Sequence, residues 1–195
     1  MCDRARMVAK KFCSLVVLRN PSTACLLLGM KKKGFGVGKN NGFGGKVEPG
    51  ETLQRCALRE MEEESGVVIQ PQDLQHVGFL TFVFDGREAE ELHVHIFTAR
   101  AHSGEPRETE EMAPAWVPEA SVPYSTMWAD DVYWLPHLLS GRRFRGTFHF
   151  EGHEKITSHT LDLLGEGERL CPYVEDARTC VLIPAGAAAQ TAIDL

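Results

Sequence analysis

Glu60, Glu63 and Glu64 stand at relative positions 0, 3 and 4, a spacing that places them on one face of a helix. Three carboxylates on one face repel each other, and divalent cations relieve that repulsion. Oxygen donors without Cys or His among them favour Mg²⁺ or Mn²⁺ over Zn²⁺. Metal ions on these glutamates would neutralise a polyphosphate and ready a water for attack on phosphorus. Glu64 is the first candidate for the general base or water-orienting carboxylate, and Glu111 is the second. The competing reading is a solvated acidic face with Arg59 paired to Glu63 four residues on. It explains neither the flanking glycines nor the spacing back to Glu51.

A second group is aromatic: Phe35, Phe82, Phe84, Trp128, Trp134 and Phe150. Taken singly, each reads best as core. Asp130 and Asp131 beside Trp128, with Asn41 elsewhere, give the group more meaning. Aromatic faces sandwich a flat base while carboxyls and an amide read its edge. Two adjacent carboxyls in a dry pocket cannot both ionise cheaply, so one is expected to have a raised pKa. A protonated Asp donates a hydrogen bond and an ionised one only accepts.

These residues need elements to hold them. The segment 12–18 (FCSLVVL) is short and apolar and reads as a buried strand; 24–30 (ACLLLGM) completes a hairpin across the Asn20-Pro21 turn. KKKGFGVGKNNGFGGK, residues 31–46, is too rich in glycine for regular structure and offers cations and backbone N–H groups to an anion. It is not a Walker A loop, because Val47 follows Gly45-Lys46. Pro49 to Thr52 opens a helix that Gly66 closes, with Leu53, Ala57 and Met61 as its apolar stripe. Strands are read at 76–84 and 92–99, with His93 and His95 on a partly exposed face rather than in a metal site. An acidic loop spans 103–114, and a short strand covers Trp116-Val117. A second helix lies within 122–139, and a last hairpin at 144–150 and 155–163.

From Gly165 the composition turns small and Ala/Gly-rich, which reads as a disordered tail over 165–195 with one strand candidate at 180–183. The expected organisation is a flexible 1–11, a domain over 12–164 and that tail. A net charge of −6 excludes a broad electrostatic grip on a nucleic-acid polymer but not a small phosphate substrate. The six cysteines form no C-x-x-C pair and read as reduced thiols. No apolar run approaches the length of a membrane helix. A cytoplasmic monomer is therefore expected, with mitochondrial or nuclear sorting left open.

Gly45 to Val67 fills all nine defined positions of G-x5-E-x7-R-E-U-x-E-E-x-G-U, U being aliphatic. The chain thereby resembles the Nudix hydrolases. GMKKKGFG, NGFGGKVEPGET, EEMAPAW, MWADDVYW and the F-x-G-x-F-x-F run narrow the resemblance to the animal MutT-homologue oxidised purine nucleoside triphosphatases, over about Phe12 to Leu163. The resemblance implies an α/β/α sandwich with a mixed β-sheet. It also implies Mg²⁺-dependent conversion of 8-oxo-dGTP, 2-hydroxy-dATP and related nucleotides to monophosphate and diphosphate. Carried over by position, the metal ligands are Glu60, Glu63, Glu64, Glu111 and the carbonyl of Gly44. Substrate contacts are Ser14, Lys31, Asn41, Phe43, Gly44, Gly45, Lys46, Phe82, Phe84, Trp128, Ala129, Asp130, Asp131 and Phe150, and Phe35 of the aromatic group joins them as a candidate. The chain departs from the family at Ser14 (Thr there), Leu92 (Met there) and Asn40 (an aromatic there), changes that bear on substrate preference. The alternatives are a Nudix hydrolase acting on another nucleoside diphosphate derivative and a non-catalytic nucleotide-binding module.

Overall fold

The computed structural model describes residues 8–87 and 90–171. Among these residues, eight strands and two α-helices follow in order: β1 (Ala9–Asn20), β2 (Cys25–Lys31), β3 (Asn40–Asn41), α1 (Leu53–Ser65), β4 (Gln75–Phe84), β5 (Glu90–Ala99), β6 (Met112–Pro118), α2 (Asp131–Leu139), β7 (Arg143–Glu151) and β8 (Lys155–Leu164). They form one mixed sheet in the order β3-β2-β1-β5-β4-β7-β8, with β6 also paired to β2. The β1–β5 and β4–β7 pairs are parallel and the other pairings antiparallel.

Side-chain alternation along the strands sorts the core into two layers. Val16, Leu18, Leu27, Phe79 and Phe97 join Leu53, Ala57 and Met61 of α1. Their neighbours Val17, Leu26, Leu28, Leu80 and Ile96 join Trp134, Leu135 and Leu138 of α2. The stripe expected on α1 is thus the buried one, and the molecule is an α/β/α sandwich. Each fully buried Leu or Met of these layers contributes on the order of 1.5–3 kcal/mol of transfer free energy.

β1 and β2 pair only at Leu18–Asn20 with Cys25–Leu27. Toward its start, β1 instead receives the glycine-rich loop along that edge. Val16 N–H donates to the Phe43 carbonyl (2.7 Å), Ser14 N–H to that of Gly45 (2.9 Å), and Val47 N–H to that of Phe12 (3.0 Å). The loop is therefore partly extended and holds the short β3, contrary to the expectation of no regular structure. Backbone pairing, invisible in so glycine-rich a composition, supplies the order. Gly44 permits the approach, since a Cβ there would lie 2.0 Å from the Ser14 carbonyl oxygen.

Three further expectations are corrected. The strand at Trp116-Val117 extends over Met112–Pro118, because β2 pairs along all of it. Pro114 and Pro118 are tolerated there because β6 lies at the sheet's edge. His93 and His95 are buried, not partly exposed, because β5 runs between β1 and β4. Residues 165–171 pack on the domain. Arg143 donates to the carbonyls of Gly165 and Glu168, and Leu170 and Cys171 are buried in the α1 layer. The strand candidate at 180–183 lies outside the described residues. Cys13, Cys25 and Cys56 are free thiols.

Candidate active site

The site begins with how α1 is capped and docked. Thr52 Oγ1 accepts the Arg55 N–H (3.1 Å), and Gly66 ends the helix in the left-handed region at φ 76°. Arg59 grips Glu51 through two bonds, Nε to Oε1 at 2.9 Å and Nη2 to Oε2 at 3.0 Å. This fork ties the helix to the turn before it and accounts for the fixed spacing between the two residues. Burial opposes ionisation of Glu51, but the Arg59 fork and the Glu48 N–H outweigh it and lower its pKa.

The same guanidinium reaches Glu60 at 2.8 Å and Glu63 at 3.1 Å, so the pairing weighed against a metal site does occur. Glu60 sits against Gly45, where a Cβ would lie 2.3 Å from Oε1; glycine is needed there to make room for a carboxylate. Burial raises the Glu60 pKa against the pull of Arg59, and the charges of Glu64 and Glu63 push it the same way as burial. Glu64 is only 4% exposed. Its Oε2 accepts the Gly44 N–H (3.0 Å) and its Oε1 the Lys31 ammonium (2.9 Å). Lys31 also bridges to Glu111 at 3.2 Å. Lys32 pairs with Glu108 and Lys33 with Glu110, which pins the acidic loop across from the helix.

Glu60, Glu63, Glu64, Glu110 and Glu111 thereby line one pocket with Lys33 and Thr109. Among the described residues no three Asp, Glu, His or Cys are gathered as a ready-made ligand cluster. Arg59 and Lys31 occupy the carboxylates instead. Oxygen donors in excess, held by side-chain cations at hydrogen-bond distance, suit a hard divalent cation in charge and in donor type.

A cavity of about 250 Å³ adjoins this pocket, and Glu64 lines both. All six expected aromatics, Phe35, Phe82, Phe84, Trp128, Trp134 and Phe150, face it, as do Ser14, Lys31, Asn41, Gly44, Gly45, Asp130 and Asp131. Ser14 Oγ lies 3.2 Å from Cys56 Sγ, and Asn41 Oδ1 accepts the Gly42 N–H. Phe35, 64% exposed, stacks on Trp128 at 4.9 Å.

Asp130 and Asp131 are both buried. Asp130 Oδ2 accepts the Trp134 indole N–H (2.9 Å), and Asp131 Oδ2 accepts the Trp128 backbone N–H (3.0 Å). Burial pushes the Asp130 carboxyl up to about 6, against the Trp134 bond. Burial and then the Asp130 charge push Asp131 well above the usual carboxylate range. Two carboxyls buried side by side resist ionising together, so their protons belong to the pair.

Three expected substrate contacts fall outside this cavity. Phe43 turns its ring into the α1 layer of the core, because its backbone pairs with Val16. Lys46 is exposed although its backbone bridges Cys13 of β1, and Ala129 packs against the α2 layer. Conversely, Cys13, Lys39, Leu92, Met112 and His153 line the cavity without having been singled out as contacts. Of these only Leu92 had a signal in the sequence, as a departure in a wall position. Nothing in the spacing of Lys39 or His153 separates it from an ordinary surface residue.

The NUDIX domain model matches residues 11–138. The oxidized purine nucleoside triphosphate hydrolase of Danio rerio is 47% identical over 156 residues, spanning 80% of this chain and 97% of the relative. The mouse protein of the same description is 43% identical over 155 residues, 80% of this chain and 96% of the relative. Among solved structures, a MutT protein from Bacillus halodurans superposes with a TM-score of 0.69 at 26% identity, covering 78% of this chain and 97% of that one.

Proposed function

The chain belongs to the NUDIX family of hydrolases, and from that premise we propose that it hydrolyses oxidised purine nucleoside triphosphates, such as 8-oxo-dGTP and 2-hydroxy-dATP, to monophosphate and diphosphate. One observation carries this reading: Glu64 belongs at once to the acidic pocket and to the aromatic cavity that ends on Asp130 and Asp131. A base held in that cavity has its phosphates at the carboxylates. Removal of damaged nucleotides before their incorporation is the role that follows.

Nudix hydrolases generally need a divalent metal. We assign Mg²⁺ here, with Glu60, Glu63, Glu64, Glu111 and the Gly44 carbonyl as the residues that would hold it. When bound it supplies charge neutralisation and an acidified water. The protein's own groups do the rest. Glu64, oriented by the Gly44 N–H, orients the attacking water and takes its proton. Water forms the new O–P bond as the bridging P–O bond to the departing diphosphate breaks. Lys31 balances phosphate charge from the loop side. Trp128, Phe82, Phe84 and Phe150 flank the base, while Asn41, Asp130 and Asp131 read its edge. A protonated Asp131 next to an ionised Asp130 offers a donor and an acceptor side by side, which suits an oxidised purine edge.

The test is diphosphate release from 8-oxo-dGTP with Mg²⁺, run beside dGTP, a sugar nucleotide, a dinucleoside polyphosphate and capped RNA. Preference for the oxidised nucleotide is expected. Preference for one of the others would reassign the substrate, and no turnover of any would make the chain a binding module. No described helix is long and apolar enough to cross a membrane. A cytoplasmic monomer is part of the same proposal.

A further inference from the structure

Two consecutive side chains of the glycine-rich loop reach across to the segment that carries the base-reading residues. Asn40 Nδ2 donates to Thr126 Oγ1 at 2.8 Å. Lys39 Nζ lies 3.4 Å from the Met127 carbonyl oxygen, 3.0 Å from Glu154 Oε2 in the β7–β8 turn, and 4.8 Å from the centre of the Trp128 ring. The loop backbone lies against the same indole, for a Cβ on Gly36 would be 2.8 Å from Trp128 Cζ2. The loop itself is closed on β2: Lys31 N–H donates to the Lys39 carbonyl at 2.9 Å, so the residue that meets Glu64 and the residue that meets Trp128 are bonded through the backbone.

We propose that Lys39 and Asn40 form a polar clamp that holds the Thr126–Asp131 segment in register with the phosphate-facing loop, and that they are positioning residues for recognition of the oxidised base. The role in recognition rests on the substrate reading above; the clamp itself does not. Neither residue lines the acidic pocket of Glu60, Glu63, Glu64 and Glu111, so the clamp sets where the base sits and leaves the hydrolytic step alone. The Lys39 ammonium is well suited to this. It meets a carbonyl, a carboxylate and an indole face at once, contacts that strengthen one another in a partly desolvated site. An arginine at that position can keep all three; a methionine keeps only the apolar stem.

The clamp is tested first without nucleotide. Hydrogen exchange of Lys39→Met should show faster exchange over residues 126–131 and unchanged exchange over α1. Unchanged exchange at 126–131, or faster exchange throughout the domain, overturns it. Steady-state kinetics on 8-oxo-dGTP then test recognition. Lys39→Met is expected to raise KM about tenfold while kcat stays within about twofold, and Lys39→Arg to restore KM. Asn40→Ala and Thr126→Val should each raise KM, and together by no more than either alone. An unchanged KM, a fall confined to kcat, no rescue by arginine, or additive effects of Asn40→Ala and Thr126→Val overturns the positioning role. Failure of the wild type to release diphosphate from 8-oxo-dGTP would defeat the substrate reading while the exchange result still decides the clamp.

Discussion

Glu64 and Asp131 are both buried carboxyls, yet their neighbours give them opposite tasks. Glu64 faces an ammonium and a backbone N–H, which fix the direction of its two oxygens. Glu64→Gln keeps the shape and removes the basicity. It should lower kcat for 8-oxo-dGTP by about a hundredfold to ten-thousandfold, while equilibrium binding of the nucleotide survives. Steady-state rates and a binding titration check this, and normal turnover would remove Glu64 from the mechanism. Asp131 faces another carboxyl, and burial together with that charge pushes its pKa up. Asp131→Asn fixes a neutral donor that no longer titrates. The variant should lose the alkaline rise in KM that deprotonation of the pair produces, whereas Asp130→Asn replaces an acceptor and should raise KM about tenfold at neutral pH. The KM–pH profiles of the two variants against wild type decide this.

At the scale of elements, the turn before α1 and the helix are built around one another. A methyl group on Gly45 would occupy the space of the Glu60 carboxylate. Gly45→Ala should therefore cut kcat by about tenfold or more with little loss of thermal stability, because Glu60 can swing outward at small cost. Gly50→Ala is the control. Its φ of 78° strains an alanine, at a cost of about 1 kcal/mol, but nothing lies within reach of the new methyl, so kcat should hold. Melting midpoints and rates on the two variants separate crowding from strain. The helix and its apolar stripe were legible because periodicity and caps are local signals: Thr52, Gly66, Leu53, Ala57 and Met61 all serve as read. β6 was legible only in part, since Pro114 and Pro118 break its alternation and its pairing with β2 is long-range.

Across the whole molecule, burial leaves three histidines neutral in the middle of the sheet. His76 and His95 are 3.1 Å apart, ring nitrogen to ring nitrogen. Burial pushes His76 down to about 4 and His95 well below its ordinary value, and it lowers His93 against the pull of Glu91. The folded pKa values are depressed, so this stability is present above about 6.5, the unfolded histidine value, and is lost as pH falls towards about 4. Asp130 works the other way. Its raised pKa favours the fold at low pH, an advantage lost as pH rises through about 6. Comparing variants isolates the first effect. His76→Gln keeps a polar partner for His95 and cannot charge, so its stability relative to wild type should rise between pH 7 and pH 4.5 in urea titrations. A difference independent of pH would remove His76 as the source.

The acidic helix, its caps, its apolar stripe and the metal-assisted chemistry of its glutamates could be read from the chain alone, because each depends on residues near one another in sequence; the layered architecture came with the family resemblance. The sequence also named the aromatics and the aspartate pair, though not that they face one cavity. The inward turn of Phe43, the burial of the β5 histidines and the packing of residues 165–171 on the domain emerge only from the assembled fold. It alone placed Lys39 and Asn40 against a segment more than 80 residues away. Local spacing carries the orientation of a side chain on its own helix or strand. Which other element that side chain meets is set by the order of strands in the sheet, and no local pattern encodes that order.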